Sequence, residues 1–366
     1  MKFKIQREEL LDSLSQIIGA VEKRQTMPAL SNVYIKADSD SIVLTATDLE
    51  IELQTRLSMI VDEPGEITVP ARKLRDICKA LPTEAEINFS VDKDKAIVKS
   101  KRSRFSLATL PAGDFPALDS IDAQFSFEIG QNMLRDLIDK TAFAMAQQDV
   151  RYYLNGLLIE VSPGKLRTVA TDGHRLAYCE KACEHSISDL KQVILPRKGV
   201  LELSRLLNDT EEPVKISLAN NHLQAELEGT RFTSKLIDGR FPDYSRVMPE
   251  PANDLLVADR DSLRQALVRA SILSNEKYRG IRLVLGNNTL KLEAQNPDQE
   301  EADVEVEVDY KGPDIEIGFN VNYMLDVLGA SGSETIQSSL RDSNSSCLLT
   351  FPDNADCKYV IMPMRL

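Results

Sequence analysis

Apolar residues recur at helical spacing in three places along the chain, each about a domain length after the last. Between Arg7 and Glu22 the stripe is Leu10, Leu11, Leu14, Ile17, Ile18 and Val21. At 133–145 it is Leu134, Leu137, Ile138 and Met145, and at 263–273 it is Leu263, Leu267, Ala270 and Leu273. Steps of three and four residues place such side chains on one helix face. A second helix type follows in each stretch, in Val69-Pro-Ala-Arg-Lys-Leu-Arg-Asp-Ile, in Leu195-Pro-Arg-Lys-Gly-Val-Leu-Glu-Leu and in Phe319-Asn-Val-Asn-Tyr-Met-Leu-Asp-Val. The first two carry proline at the helix start, where its missing N–H costs nothing. Cleanly alternating runs come next: Ile87/Phe89/Val91, Ile216/Leu218 with Leu223/Ala225/Leu227, and Ile336 with Leu348/Thr350. Such alternation predicts antiparallel sheets with one face buried. Gly113-Asp-Phe-Pro and Gly239-Arg-Phe-Pro close the first two stretches. The pattern predicts an α+β chain of three similar domains, 1–120, 121–250 and 251–366, joined by the short polar linkers 117–123 and 249–254.

The most informative stretch is Gln147–Leu176. It joins a polar and aromatic loop (Gln147, Gln148, Arg151, Tyr152, Tyr153) to a strand pair closed by Ser162-Pro163-Gly164, and ends in Thr171-Asp172-Gly173-His174-Arg175. An earlier copy runs through Ser31-Asn32-Val33-Tyr34-Ile35 to Thr47-Asp48, but there Leu49 and Glu50 replace the glycine and histidine. A turn reused without its histidine reads as architecture before chemistry.

Charge along the chain is more informative than bulk composition. The formal net charge is −13, which taken alone argues against nucleic acid. The distribution is uneven. Arg72, Lys73, Arg75, Lys79, Arg197, Lys198 and Arg205 cluster at two equivalent helix starts, against Asp76 and Glu202. Glu300, Glu301, Asp303, Glu305, Glu307 and Asp309 crowd 300–309 without a base. Asp303–Tyr310 reads as an acidic strand and the strand-like run Lys99–Leu107 is basic, so the two charged runs are expected to pair head to tail between copies of the chain. The five cysteines are scattered and odd in number, which reads as reduced thiols in a cytosol. No apolar run reaches the roughly 18 residues of a membrane span, and the N-terminus alternates like a strand with no signal-peptide core.

Candidate chemistry is sparse. His174, Cys179, Cys183 and His185 lie close in sequence, but Cys-x3-Cys is not the tight pairing of structural zinc sites. Asp172 and His174 could form an acid–base pair, and a hydrolase or a monomeric peptide-binding scaffold are the competing readings. No phosphate loop, Walker lysine or nucleophile elbow occurs, so neither a cofactor nor a metal is expected. The terminal Met362-Pro363-Met364 would suit an adaptable apolar pocket.

Many ordered motifs resemble one family over the whole chain. They are Thr47-Asp-Leu-Glu50, Val69-Pro-Ala-Arg-Lys73, Ser103-Arg-Phe-Ser-Leu107, Gln148-Asp-Val-Arg-Tyr-Tyr-Leu-Asn-Gly156, Thr171–Leu176, Asp238-Gly-Arg-Phe-Pro-Asp-Tyr244, Ile272-Leu-Ser-Asn-Glu-Lys277 and the closing Met-Pro-Met-Arg-Leu. This set is similar to the bacterial sliding clamps, the β subunits of DNA polymerase III. The resemblance implies a non-catalytic, cytoplasmic processivity factor: a head-to-tail homodimeric ring of clamp domains, helices lining the hole and antiparallel sheets outside. It would encircle duplex DNA without sequence preference and tether the polymerase III catalytic subunit, the clamp loader complex, and other polymerases and repair proteins carrying clamp-binding peptides.

The same resemblance implies residue roles. Arg24, Arg72, Gln148, Tyr152, Tyr153 and Lys198 would meet DNA. Leu154, Thr171, Gly173, His174, Arg175, Leu176, Pro242, Arg246, Val247, Asn320, Tyr323, Val360, Met362, Pro363 and Met364 would form the partner-peptide pocket. Arg102, Arg104, Phe105 and Leu107 would face Ile272, Leu273, Glu300, Glu301 and Asp303 across the dimer interface. Val304 departs from the family's acidic habit at its position, which thins the expected ion pairing.

Overall fold

The computed structural model describes residues 1–22, 27–116, 121–251 and 254–365. Arg24 and parts of both expected linkers lie outside these. The described residues hold six α-helices: α1 Arg7–Ile17, α2 Ala71–Ala80, α3 Gln131–Asp139, α4 Arg197–Leu206, α5 Arg260–Ser271 and α6 Val321–Gly329. They carry the expected stripes, with the first and second stripes ending in 3-10 turns, at Ile18–Ala20 and Ala142–Ala144. Pro70 is the N-cap residue of α2 and Pro196 immediately precedes α4.

By packing, the chain divides into two compact units, 1–132 with 198–236 and 133–197 with 237–366. The first unit holds two antiparallel sheets. One has five strands in the order Val61–Glu63, Lys2–Gln6, Glu86–Asp92, Lys95–Ser100, Ser103–Ala108. The other has eight strands, because Thr230–Lys235 pairs with Ile51–Ser58 and fuses two four-stranded halves. Phe232 lies opposite Leu53 in that register and both are fully buried. Leu10, Leu14 and Ile17 of α1 and Leu74 of α2 bury in the same unit; each such side chain contributes about 1.5–3 kcal/mol.

The second unit repeats the scheme. Its eight-stranded sheet is fused where Arg175–Ala182 pairs with Asn354–Ile361, with Leu176 opposite Val360. Its four-stranded sheet runs Glu301–Glu307, Thr289–Gln295, Gly280–Gly286, Ile315–Asn320. Leu263, Leu267 and Ala270 of α5 and Met324, Val327 and Leu328 of α6 supply its helical core. Sequence repeats and packing units thus describe different things, since strand pairing runs on from one repeat to the next.

Three expectations are corrected. The basic run Lys99–Leu107 is a hairpin rather than one strand: Ser100 pairs with Ser103, and Lys101 turns the chain at a φ of 48°. Arg102 therefore stands at the turn and Arg104 on the strand. The acidic strand spans Glu301–Glu307, while Asp309 forms an isolated bridge to Val257. The cysteines are not all free, because Cys179 and Cys357 face each other across the fused strands and are joined as a disulfide. Cys78, Cys183 and Cys347 are buried free thiols. Partners 178 residues apart in sequence cannot be read from spacing, only from strand register.

Candidate functional site

The turn Thr171–Arg175 is built from its own polar side chains. The Asp172 carboxylate accepts from the amides of His174 and Arg175 at 2.9 and 3.0 Å, and from Arg175 Nε at 3.2 Å. Thr171 Oγ1 accepts from the Gly173 amide and donates to the Arg175 carbonyl at 2.6 Å. Local bonds of this kind hold a turn without a sheet ladder. The Thr47–Ile51 turn makes the same set: Asp48 Oδ1 takes the Glu50 and Ile51 amides, and Thr47 Oγ1 serves Leu49 and Ile51. Asp172 thus spends its carboxylate on architecture, and His174 stands exposed beside it.

Arg175 is the hub. Only 11% of its side chain is exposed. Its guanidinium pairs with Asp172 and Asp326, donates to the Phe143 carbonyl at 2.7 Å, and lies 4.4 Å from the Tyr323 ring centre. Burial pushes the Tyr323 phenol up from its ordinary value, and the Asp172 carboxylate adds to this. The C-terminal segment docks alongside: the Met362 amide donates to the His174 carbonyl at 2.9 Å and the Met364 amide to Gly318 at 2.8 Å.

Between these elements opens a cavity of about 170 Å³ lined by Leu154, Thr171, Gly173, Arg175, Leu176, Pro242, Val247, Val360 and Met362, together with Arg151, Asp243 and Tyr244. An engineered apolar cavity of about 150 Å³ holds benzene, so this one has room for a leucine or phenylalanine side chain. His174, Arg246, Asn320, Tyr323, Pro363 and Met364 do not line it. Asn320 instead caps α6 and donates to the Tyr278 carbonyl, and Arg246 pairs with Asp243.

The loop before the pocket is braced. Asp149 accepts from the Arg151 amide, Nε and Nη2 at 2.8–3.0 Å. Those bonds hold the Asp149 carboxyl down at about 2. Gln148 is exposed at a φ of 56°, Tyr152 is 57% exposed, and the Tyr153 ring meets Tyr152 edge-on while packing on the apolar cluster behind the pocket. Lys198 is engaged by a carboxylate, forming an ion pair with the buried Asp48 side chain. Arg72 donates to the Val21 carbonyl at 3.3 Å.

Among the described residues, neither charged edge pairs with a further strand. Ser103–Ala108 ends the five-stranded sheet and Glu301–Glu307 ends the four-stranded one, so each leaves a row of backbone groups unpaired. Arg102 and Arg104 are exposed on the first, with Phe105 half-buried and Leu107 buried. Glu300, Glu301 and Asp303 are exposed at the second; on and just after α5, Val268 and Ile272 are 44% and 73% exposed, and Leu273 is half-buried. No set of three or more His, Cys, Asp or Glu side chains among the described residues is placed to hold a metal, and no helix among them is long and apolar enough to cross a membrane.

Family models match three consecutive stretches: "DNA polymerase III beta subunit, N-terminal domain" at 1–119, its central domain at 128–243 and its C-terminal domain at 245–365. The Beta sliding clamps of Pseudomonas aeruginosa and Escherichia coli K12 are 55% and 48% identical over the full length of both chains. The crystal structure of the DNA polymerase III subunit beta from Pseudomonas aeruginosa superimposes with a TM-score of 0.97 at 55% identity, covering 100% of each chain. The fold is that of a sliding clamp, three clamp domains of mixed helix and antiparallel sheet. The chain belongs to the DNA polymerase III beta subunit family and is a non-catalytic processivity subunit of that polymerase.

Proposed function

We propose that two copies of this chain close head to tail into a ring around duplex DNA in the cytoplasm, helices inward, with clamp domains 1–120, 121–250 and 251–366. The observation that carries this is the pair of free sheet edges of opposite charge, Ser103–Ala108 and Glu301–Glu307. Strand pairing between copies satisfies both rows of backbone groups, and Phe105 and Leu107 then meet Ile272 and Leu273. Exposed ion pairs contribute only about 0.2–1 kcal/mol each, so Arg102 and Arg104 against Glu300, Glu301 and Asp303 set register and partner more than strength. Arg24, Arg72, Gln148, Tyr152, Tyr153 and Lys198 touch DNA lightly and without sequence preference, since a topological link needs no tight grip.

The apolar pocket takes peptide segments of the polymerase III catalytic subunit, the clamp loader, and other polymerases and repair proteins. A large apolar side chain anchors in the cavity over Leu176 and Val360, and Met362 adapts to its shape. His174 and Arg246, beside the cavity, and Asn320, Tyr323, Pro363 and Met364 receive the rest of the peptide.

Charge reversal tests ring closure. Arg102→Glu with Arg104→Glu is expected to give monomers by light scattering, and adding Glu301→Arg with Asp303→Arg restores dimers. An unchanged dimer in the first variant contradicts the interface.

A further inference from the structure

Behind the pocket, on the strand Lys165–Thr171, a single guanidinium joins the sheet to the pocket wall. Arg167 Nη1 donates to the Tyr244 hydroxyl at 3.0 Å and pairs with Glu160. Its Nε donates to Glu180 at 2.9 Å, and its Nη2 pairs with the same carboxylate. Glu160 is 4% exposed and is held from its other side by Gln192 at 2.7 Å. Lys165 meets Glu180 at 2.7 Å, so two carboxylates are balanced by two cations. The Arg167 carbon also lies 5.3 Å from the Tyr178 ring centre, and that ring is 5.9 Å from Tyr244.

Tyr244 opens the 3-10 turn Tyr244–Val247, in a stretch from Asp238 to Glu250 that lies outside the strands. Tyr244, Pro242 and Val247 form one wall of the pocket. The ring of Tyr244 packs against the apolar cluster that includes Leu158, Leu176 and Val360, while its hydroxyl is tied to Arg167 and Glu160. Leu176 and Val360, which also line the pocket, stand on strands held by ladder bonds. The opposite wall lacks a ladder, and its position depends on side-chain anchors.

We propose that Arg167 is a positioning residue for the peptide pocket: through the Tyr244 hydroxyl it fixes the wall formed by Pro242, Tyr244 and Val247 at the spacing that grips an apolar side chain. The inference rests on the peptide-pocket reading above. Preorganising a wall lowers the ordering cost of binding, so its loss appears in ligand affinity as well as in folding.

The test is a double-mutant cycle on the full-length protein, read by the affinity of a fluorescein-labelled hexapeptide carrying an adjacent Leu-Phe pair. Arg167→Lys keeps a charge beside Glu160 but loses the planar fork, and Tyr244→Phe removes only the hydroxyl. Thermal melts confirm that each variant is folded at the assay temperature. Each single change is expected to weaken binding by about tenfold, and Arg167→Lys is expected to have no further effect on affinity once Tyr244→Phe is present, while still lowering the melting point. Wild-type affinity in Arg167→Lys, or losses that multiply in the double variant, overturns the proposal and leaves the pocket reading standing. Failure of the wild-type protein to bind the peptide removes the pocket reading itself, and the positioning role with it.

Discussion

Leu49 and Gly173 occupy the same place in two copies of one turn, at φ values of 77° and 88°. Around each, an aspartate gathers two amides and a threonine hydroxyl closes the loop. A leucine in left-handed backbone costs roughly 1–2 kcal/mol, part of which glycine returns as unfolded-chain entropy. Leu49→Gly is therefore expected to raise stability by up to about 1 kcal/mol in urea unfolding. Gly173→Ala is expected to do the opposite. A Cβ there would stand 2.9 Å from the Arg151 guanidinium nitrogens and displace that side chain from the pocket rim. A stabilised Gly173→Ala variant with unchanged peptide affinity contradicts this reading of the turn.

Arg175 is the least replaceable residue of the pocket. Removing it strands Asp172, Asp326 and the Phe143 carbonyl at once. Arg175→Ala is expected to cost about 2–4 kcal/mol, since an orphaned, partly buried partner is worse than a missing pair. Arg175→Lys is expected to recover little, because an ammonium cannot serve three directions in one plane. Calorimetry and peptide titration read both effects; a lysine variant with wild-type values contradicts the hub.

Acid should loosen the pocket's backing. Burial pushes the Glu180 carboxyl up, but hydrogen bonds from Lys165 and Arg167 outweigh it and hold the group down at about 2, against an ordinary 4.5. A folded-state value below the unfolded one gives stability that is fully present above about pH 4.5 and is lost as pH falls toward 2. Glu180→Gln is therefore expected to be less stable than the parent at neutral pH and to show a shallower loss of melting temperature between about pH 5 and 3. Parallel curves for parent and variant contradict the assignment.

Local rules made much of this legible in the sequence. The stripes of α1 and α5, Pro70 and Pro196 at helix starts, and the Pro163-Gly164 turn each follow from a few neighbouring residues. What escaped was decided by contacts between residues remote in sequence and by one turn that carries no turn residues at its centre. Nothing near Cys179 announces Cys357, nothing near Lys198 announces Asp48, and a basic run read as one strand hides the reversal at Lys101–Arg102. Asp243 and Tyr244 stood in a motif that carried the family resemblance, yet their place on the pocket wall needs Arg167, which is remote in sequence. Arg151 was visible as a polar loop residue, but only the missing Cβ of Gly173 explains why its guanidinium fits over the turn.

A ring that encircles DNA is linked to it by topology rather than by affinity. The direct measurement is retention of the protein on circular and on linearised duplex DNA after loading by a clamp loader with ATP. A closed ring is expected to stay on circles and run off cut ends. Equal retention on both, or equally fast loss from both, would contradict encirclement.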